Sequence, residues 1–403
     1  MADDSFREVT SRSWFNRIGG AVKGVVFGVV LLLAAFALLF WNEGRAVERY
    51  KTLVEGGGAV ISVAADKVER ANEGKLVHLS GRTVSDEVLS DGIFAVRARA
   101  IKLIRTVEMY QWAEKSRSET RKKLGGGEET VTTYTYEKRW SERHIDSSSF
   151  KHPEGHANPP MPYASGTVAA ATVRLGAFRL PPFLVERLDT TRPLPLSGAA
   201  VSAVRLPPQA KIVGDAITIG SATGTPNLGD LRVRFSVVED SEVSLAAQQR
   251  DDTFQPFQAR AGGTIALLQP GLVPAAAMFA QAQQSNTMLT WLLRGGGLLL
   301  MFIGFRLILA PLPVLGDVVP AFGAMVGAGV SLIAGLIAAV LSLLTIAIAW
   351  VVYRPLLGLG LLAAAIAGTV YIVARLRKPR REAAMPPGPP PATPPPPPPP
   401  PGS

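Results

Sequence analysis

Apolar residues gather near both ends of the chain and alternate with polar ones in between. Residues 24–41 hold eighteen apolar positions without a charge, enough for one helix across a ~30 Å hydrocarbon core at ~1.5 Å per residue. A cleaved signal peptide would have a shorter apolar core, about 7–15 residues, and a small-residue cleavage site. Here Trp41 followed by NEGRAVER makes an aromatic and charged exit, so residues 18–41 are expected to be an uncleaved signal anchor behind a cytoplasmic segment at 1–17.

The second apolar block predicts three further spans. Residues 291–312 carry Arg294, at the outer interface, and Arg306 about 18 Å deeper, which must snorkel or find a partner. Residues 318–352 lack any charge, and at about 52 Å as one helix they exceed a single upright span. A Gly-rich entry around Gly323, Gly327 and Gly329, either interfacial or kinked, accommodates the excess. Tyr353, Arg354 and Pro355 make a turn into the last span, 356–374, before a basic and polyproline tail at 375–403.

Between the blocks the period falls to two. Leu231, Val233, Phe235 and Val237 alternate with Arg232, Arg234 and Ser236, and Val131, Thr133 and Thr135 alternate with Thr132, Tyr134 and Tyr136. VEMYQWAEKS and TVTTYTYEKRW flank Gly125–Gly127 as a long hairpin would. Shorter strands are expected at 58–63, 75–84, 93–105 and 263–268, and a helix at 275–290. NEGKLVHLSG and NLGDLRVRFS share an Asn-x-Gly-x-Leu start, explained equally by a weak internal duplication or by turn chemistry. The predicted fold class is a membrane protein of α+β type, with four transmembrane helices and a large mainly-β extracytoplasmic domain at 42–290.

Charge orients the spans. The net charge is +10, with Arg7, Arg12, Arg17 and Lys23 ahead of the first apolar run and Arg375, Arg377, Lys378, Arg380 and Arg381 after the last. Clusters flanking spans follow the positive-inside rule, so both termini are expected in the cytoplasm and no nucleic-acid module is read. There are no cysteines, which excludes disulfides, thiolate metal sites and thiol nucleophiles.

Candidate chemistry is sparse. His152 and His156 bracket Glu154, but Pro153 and Gly155 make the segment a loop without the helical spacing of a zinc site. His78 and His144 could complete a set, yet solvated loop histidines are the better reading, and no metal or cofactor is assigned. Asp251 with Asp252, and Glu239, Asp240 and Glu242, read as solvated turn charges. Gly20, Gly24 and Gly28 fall on one helix face and suit close packing against another helix. Arg97, Arg99 and Arg105 share a strand face as a possible basic stripe for lipid headgroups, against a plain solvated face.

Several stretches together resemble the transmembrane protein 43 family, also called LUMA. They are NEGRAV from Asn42, NEGKLVHLSG from Asn72, VEMYQW from Val107, GHANP from Gly155, GDLRVRFS from Gly229, QRDDTFQPF from Gln249 and YRPLL from Tyr353. The resemblance implies a non-enzymatic protein with both ends cytosolic and its large domain luminal, one that binds other membrane proteins and helps organise the membrane. The polyproline tail and the Ala-, Arg- and Pro-heavy composition suggest a bacterial member, with the periplasm replacing the lumen. A lamina-binding role then does not carry over. The first reading is a scaffold whose partners are membrane lipids, other integral membrane proteins and further copies in a homo-oligomer. A lipid-handling or transport component, resting on Arg306 and the Gly-rich span, is the alternative. A periplasmic metalloenzyme resting on His152 and His156 comes last.

Overall fold

The computed structural model describes residues 5–196, 204–221 and 224–377. The basic residues from Lys378 onward and the polyproline tail lie outside the described residues. Contacts divide the chain into two units, Met1–Ala349 and Trp350–Ser403. The main elements in chain order are β1 (Ser5–Arg12), α1 (Trp14–Ala59), β2 (Leu76–Val84), β3 (Lys102–Lys122), β4 (Glu128–Ser141), β5 (Leu231–Val238) and β6 (Glu242–Arg250). They continue with α2 (Ala275–Ile308), the short α3 (Pro311–Gly316), α4 (Pro320–Tyr353) and α5 (Pro355–Arg377).

The β domain is built on two sheets. In the first, the order is β1, β4, β3, β5, then the short strands Ala216–Ile219 and Ala210–Val213. In the second, β2 lies between β6 and the short strand Arg174–Leu175. The alternation read in β5 is the mechanism of their packing: Leu231, Val233, Phe235 and Val237 are at most 3% exposed, whereas Arg234 on the other face is exposed. These side chains share one core with Leu103, Val107 and Met109 of β3 and with Leu79 and Leu245 of β2 and β6. The repeated Asn-x-Gly-x-Leu motif is one turn used twice. In each copy the Asn carbonyl accepts from the N–H three residues on, Lys75 or Asp230, at 3.0 Å. Gly74 and Gly229 supply the positive φ, 75° and 87°, that this turn needs. The strands that follow belong to different sheets.

Past Met109 the β3–β4 hairpin leaves the sandwich as a long arm. Its register runs from Tyr110 opposite Trp140 to Lys122 opposite Glu128. β1 pairs along β4 from Ser5 opposite Thr135 to Arg12 opposite Glu128, making the arm three-stranded. Residues 5–12, expected only as a cytoplasmic leader, are thus a strand of the same sheet as the β domain.

α1 has 46 residues, so at ~1.5 Å each it is about 69 Å long and extends well past the expected anchor at both ends. β3 has 21 residues and reaches about 69 Å at ~3.3 Å each. The first part of β3, Lys102–Met109, pairs within the domain, so the arm proper, Tyr110–Lys122, reaches about 43 Å, less than α1. At the C-terminal end of α1, Gly56 lies against Ile265 and Phe279 of the domain. At its N-terminal end, residues 12–17 meet the hairpin tip.

α1, α2 and α4 pack through Ala35, Leu39, Met301 and Ala338, all fully buried. Each also shows an outer apolar face: Val22, Val26 and Leu33 on α1, Leu292 and Leu299 on α2, and Leu332, Leu336 and Leu343 on α4 are exposed. Such faces suit hydrocarbon, and the closed helical backbone leaves no polar group unsatisfied there. Among the described residues these three helices are long and apolar enough to cross a membrane. The expected second span, 291–312, starts in the distal part of α2, which ends at Ile308, and its last residues run through a turn into α3, while 275–290 forms the proximal part of α2. The expected third span falls in α4, which is one continuous helix through Gly323–Gly329. In the second unit, Arg354 separates α4 from α5, which covers the expected fourth span.

Candidate functional site

The motifs carrying the family resemblance meet at joints. At the arm root, the Trp112 N–H donates to the Asn158 Oδ1 at 2.7 Å, and the Asn158 amide donates to the Trp112 carbonyl at 3.0 Å. Asn158 thereby acts as a one-residue strand that closes the edge of β3. Gln111, fully buried, accepts from the Ile145 N–H and donates to the Arg143 carbonyl. Glu108 receives Arg232 and Arg234 from β5, each at 2.9 Å, while the Arg232 guanidinium lies 4.5 Å from the Trp140 ring centroid. VEMYQW, GHANP and GDLRVRFS therefore converge where the arm leaves the domain.

His156 completes this joint. It is buried, stacks on Tyr136 with centroids 3.9 Å apart, and meets the Trp112 ring edge-on. The Tyr136 hydroxyl donates to Glu114 at 2.9 Å and accepts from the His152 N–H at 3.0 Å. Burial first, and the Glu114 carboxylate second, push the Tyr136 phenol up to about 12.

At the arm tip, Asp317, between α3 and α4, holds three elements together. Its side chain is 1% exposed and accepts from Arg17 of α1 at 2.5 Å and from Lys122 of β3 at 2.6 Å. Arg17 also reaches Glu128 at 3.1 Å and the Gly126 carbonyl at 2.5 Å. The Trp14 indole N–H donates to the Val314 carbonyl at 2.8 Å, and the Gly125 N–H to the Val318 carbonyl at 3.2 Å. Burial alone would raise the Asp317 carboxyl, but Lys122 and Arg17 outweigh it and hold the group below its ordinary range.

A third joint clasps α1 to α2. Glu43, fully buried, takes Arg294 in two hydrogen bonds of 2.7 and 2.9 Å, and the guanidinium lies 4.7 Å from the Trp291 ring centroid. Asn42 donates to the Thr290 carbonyl, and Arg45 reaches Asn286, Asn42 and Thr290. NEGRAV is thus the α1 side of an interhelical polar clasp, and Arg294 is an ion-pair partner as well as an interfacial charge.

The other expected site residues fall as follows. Gly28 packs on α2, where an added Cβ would stand 2.7 Å from the Gly304 carbonyl, and Gly24 lies near Leu307, while Gly20 faces open space. The packing face is therefore satisfied within the chain along its inner part. Arg97, Arg99 and Arg105 do not form one stripe, because the strand holding the first two ends at Arg99 before a bend at Ala100 and Ile101. Arg105 is drawn inward by a close ion pair with buried Asp91, and Arg99 pairs with Asp86 at 2.6 Å. His152 stacks on Phe6 of β1, His144 meets the Pro159 carbonyl, and His78 lies between Ser62 and the Val273 carbonyl. Among the described residues no three potential ligands gather for a metal. Asp252, Glu239 and Asp240 face Arg179, Arg192 and the Ser85 N–H, and Asp251 sits in a turn at φ 52°. Arg306 lies exposed near the end of α2, beside the Asp317 joint. Sequence reasoning missed β1 and Asp317. The period-two run SFREVTSR was the available signal for the strand, and it was read as charge alone.

The transmembrane protein 43 family pattern matches residues 109–355. The transmembrane protein 43 of Homo sapiens is 35% identical over 384 residues, covering 92% of this chain and 94% of the relative. That of Rattus norvegicus is 34% identical over 383 residues, and the homolog of Drosophila melanogaster 30% over 367 residues. No solved structure matches. With four of its motifs at the joints of one membrane-helix and β-sheet assembly, and relatives covering nearly its whole length, this chain belongs to the transmembrane protein 43 family.

Proposed function

We propose that the chain is a non-enzymatic scaffold that assembles with further copies of itself and with other membrane proteins. Its topology in this reading is four spans, both termini cytoplasmic and the body of the β domain in the periplasm, the lumen in eukaryotic relatives. The observation that carries the proposal is the arm. If residues 18–41 cross the bilayer, the arm, rooted in the domain that packs on the C-terminal end of α1 and tied at its tip to the N-terminal end, passes through the same thickness. One of its faces carries Lys115, Arg117, Glu119 and Arg121, and the other carries Ser116, Ser118 and Thr120 with the facing Thr130 and Thr132. Neither face suits hydrocarbon. β1 and the outer part of β3 are edges with no neighbouring strand among the described residues, and open sheet edges do not occur against lipid. Protein and water must therefore cover the arm, and a second arm offers matching edges. The joints and stacked histidines give support to an assembly role, since the family motifs are spent on holding elements together.

The chain lacks cysteine, so introduced ones report cleanly. Val9→Cys paired with Ser118→Cys, and neighbouring pairs along the two edges, should cross-link into ladders of dimers and larger species in native membranes. Absence of cross-links at every pair, together with a monomer in native mass spectrometry of gently extracted protein, would reject the proposal.

A further inference from the structure

We infer that the cavity beside Asp317 is a binding site for the phosphate headgroup of an anionic phospholipid. The cavity holds about 430 Å³ and is lined by Arg17, Lys122, Arg306 and Asp317 among apolar residues of α3 and α4 such as Pro313 and Val330. Its cations come from three elements that are distant in sequence: the start of α1, the arm tip and the end of α2. Their charge is not balanced. Asp317 uses one oxygen on Arg17 and the other on Lys122, and Glu128 engages Arg17 again. Arg306 has no hydrogen bond or ion pair among the described residues, and its guanidinium offers five donors in a planar fork suited to a phosphate. Lys122 uses one donor on Asp317 with its side chain 36% exposed.

Depth and lining select the ligand. Arg306 lies two residues before the end of α2, where an apolar helix meets the headgroup layer. The small residues Gly323, Ala324, Gly327 and Ala328 keep the α4 wall open. A Cβ on Gly327 would find only Pro313, at 3.6 Å. An anionic headgroup with an acyl chain fits both the surplus positive charge and the apolar wall. Inorganic phosphate would satisfy only the first. Snorkelling explains the reach of Arg306 and the Asp317 joint explains Arg17 and Lys122, but neither fills the cavity they line together. The inference stands apart from the scaffold reading and gives the lipid-handling alternative a location.

The test is native mass spectrometry of the delipidated full chain titrated with phosphatidylglycerol, with phosphatidylcholine and with inorganic phosphate. Wild type should retain one phosphatidylglycerol per chain in preference to phosphatidylcholine, and millimolar phosphate should not displace it. Arg306→Gln, which removes no hydrogen bond or ion pair among the described residues, should weaken retention about tenfold, as a 1.4 kcal/mol loss implies. Gly327→Leu should do the same by filling the cavity while the charges stay. Equal retention by both variants, equal binding of the two lipids, or displacement by phosphate would each overturn the inference.

Discussion

At the scale of single residues, the chain spends its ionic groups on joints, and their loss should be felt as stability. Glu43 is fully buried beneath the Arg294 guanidinium. Replacing Glu43 by Ala removes both carboxylate oxygens from a guanidinium that is 15% exposed in the intact pair, and breaking a buried pair costs about 3–5 kcal/mol. Thermal unfolding of the full chain in detergent should fall accordingly, with Glu43→Gln losing less. Tyr136 sets a second expectation. Its phenol keeps its proton to about pH 12 in the folded state, above the ordinary value of 10.0. Between those values the folded state binds more protons than the unfolded state, so stability is full below pH 10 and falls as pH rises toward 12. Tyr136→Phe should flatten that part of the stability profile, as read by circular dichroism against pH.

At the scale of elements, legibility followed periodicity. β5 and the helices α2 and α4 were readable because each repeats one pattern over many residues, buried side chains on one face and exposed on the other. The β3–β4 hairpin about Gly125–Gly127 was readable too, but not how far its pairing runs, to Lys122 opposite Glu128. The outward halves of β3 and β4, from Glu114 to Glu137, are polar on both faces and carry no apolar stripe to mark where pairing ends. β1 was hidden for a different reason. Arg7 and Arg12 satisfied the charge rule for a cytoplasmic leader, and nothing local in residues 5–12 names β4 as their partner. The supposed Arg97–Arg105 stripe failed because two bend residues break the alternation, which a strand pattern alone does not reveal. The arm-root and α1–α2 joints were visible only as motif strings, and the Asp317 joint not at all. Asn158 facing Trp112 and Asp317 facing Lys122 are separations of 46 and 195 residues, which only the fold brings together.

At the scale of the whole molecule, the hairpin tip is fastened to the N-terminal end of α1, while the arm root and the C-terminal end of α1 both belong to the β domain. A lone membrane helix meets a bilayer of the wrong thickness by tilting, which costs little. Here a change in tilt would pull residues 14–17 away from the hairpin tip and strain the Asp317 contacts. The lipid must then adapt to the protein, and hydrophobic mismatch becomes a load on the fold. Reconstituted into bilayers of stepped acyl-chain length, the wild type should show a narrow maximum of thermal stability. Gly126→Leu, whose side chain would collide with the Trp14 ring and free the tip, should broaden that maximum as well as lower it. A protein built in this way would be sorted toward membranes of one thickness.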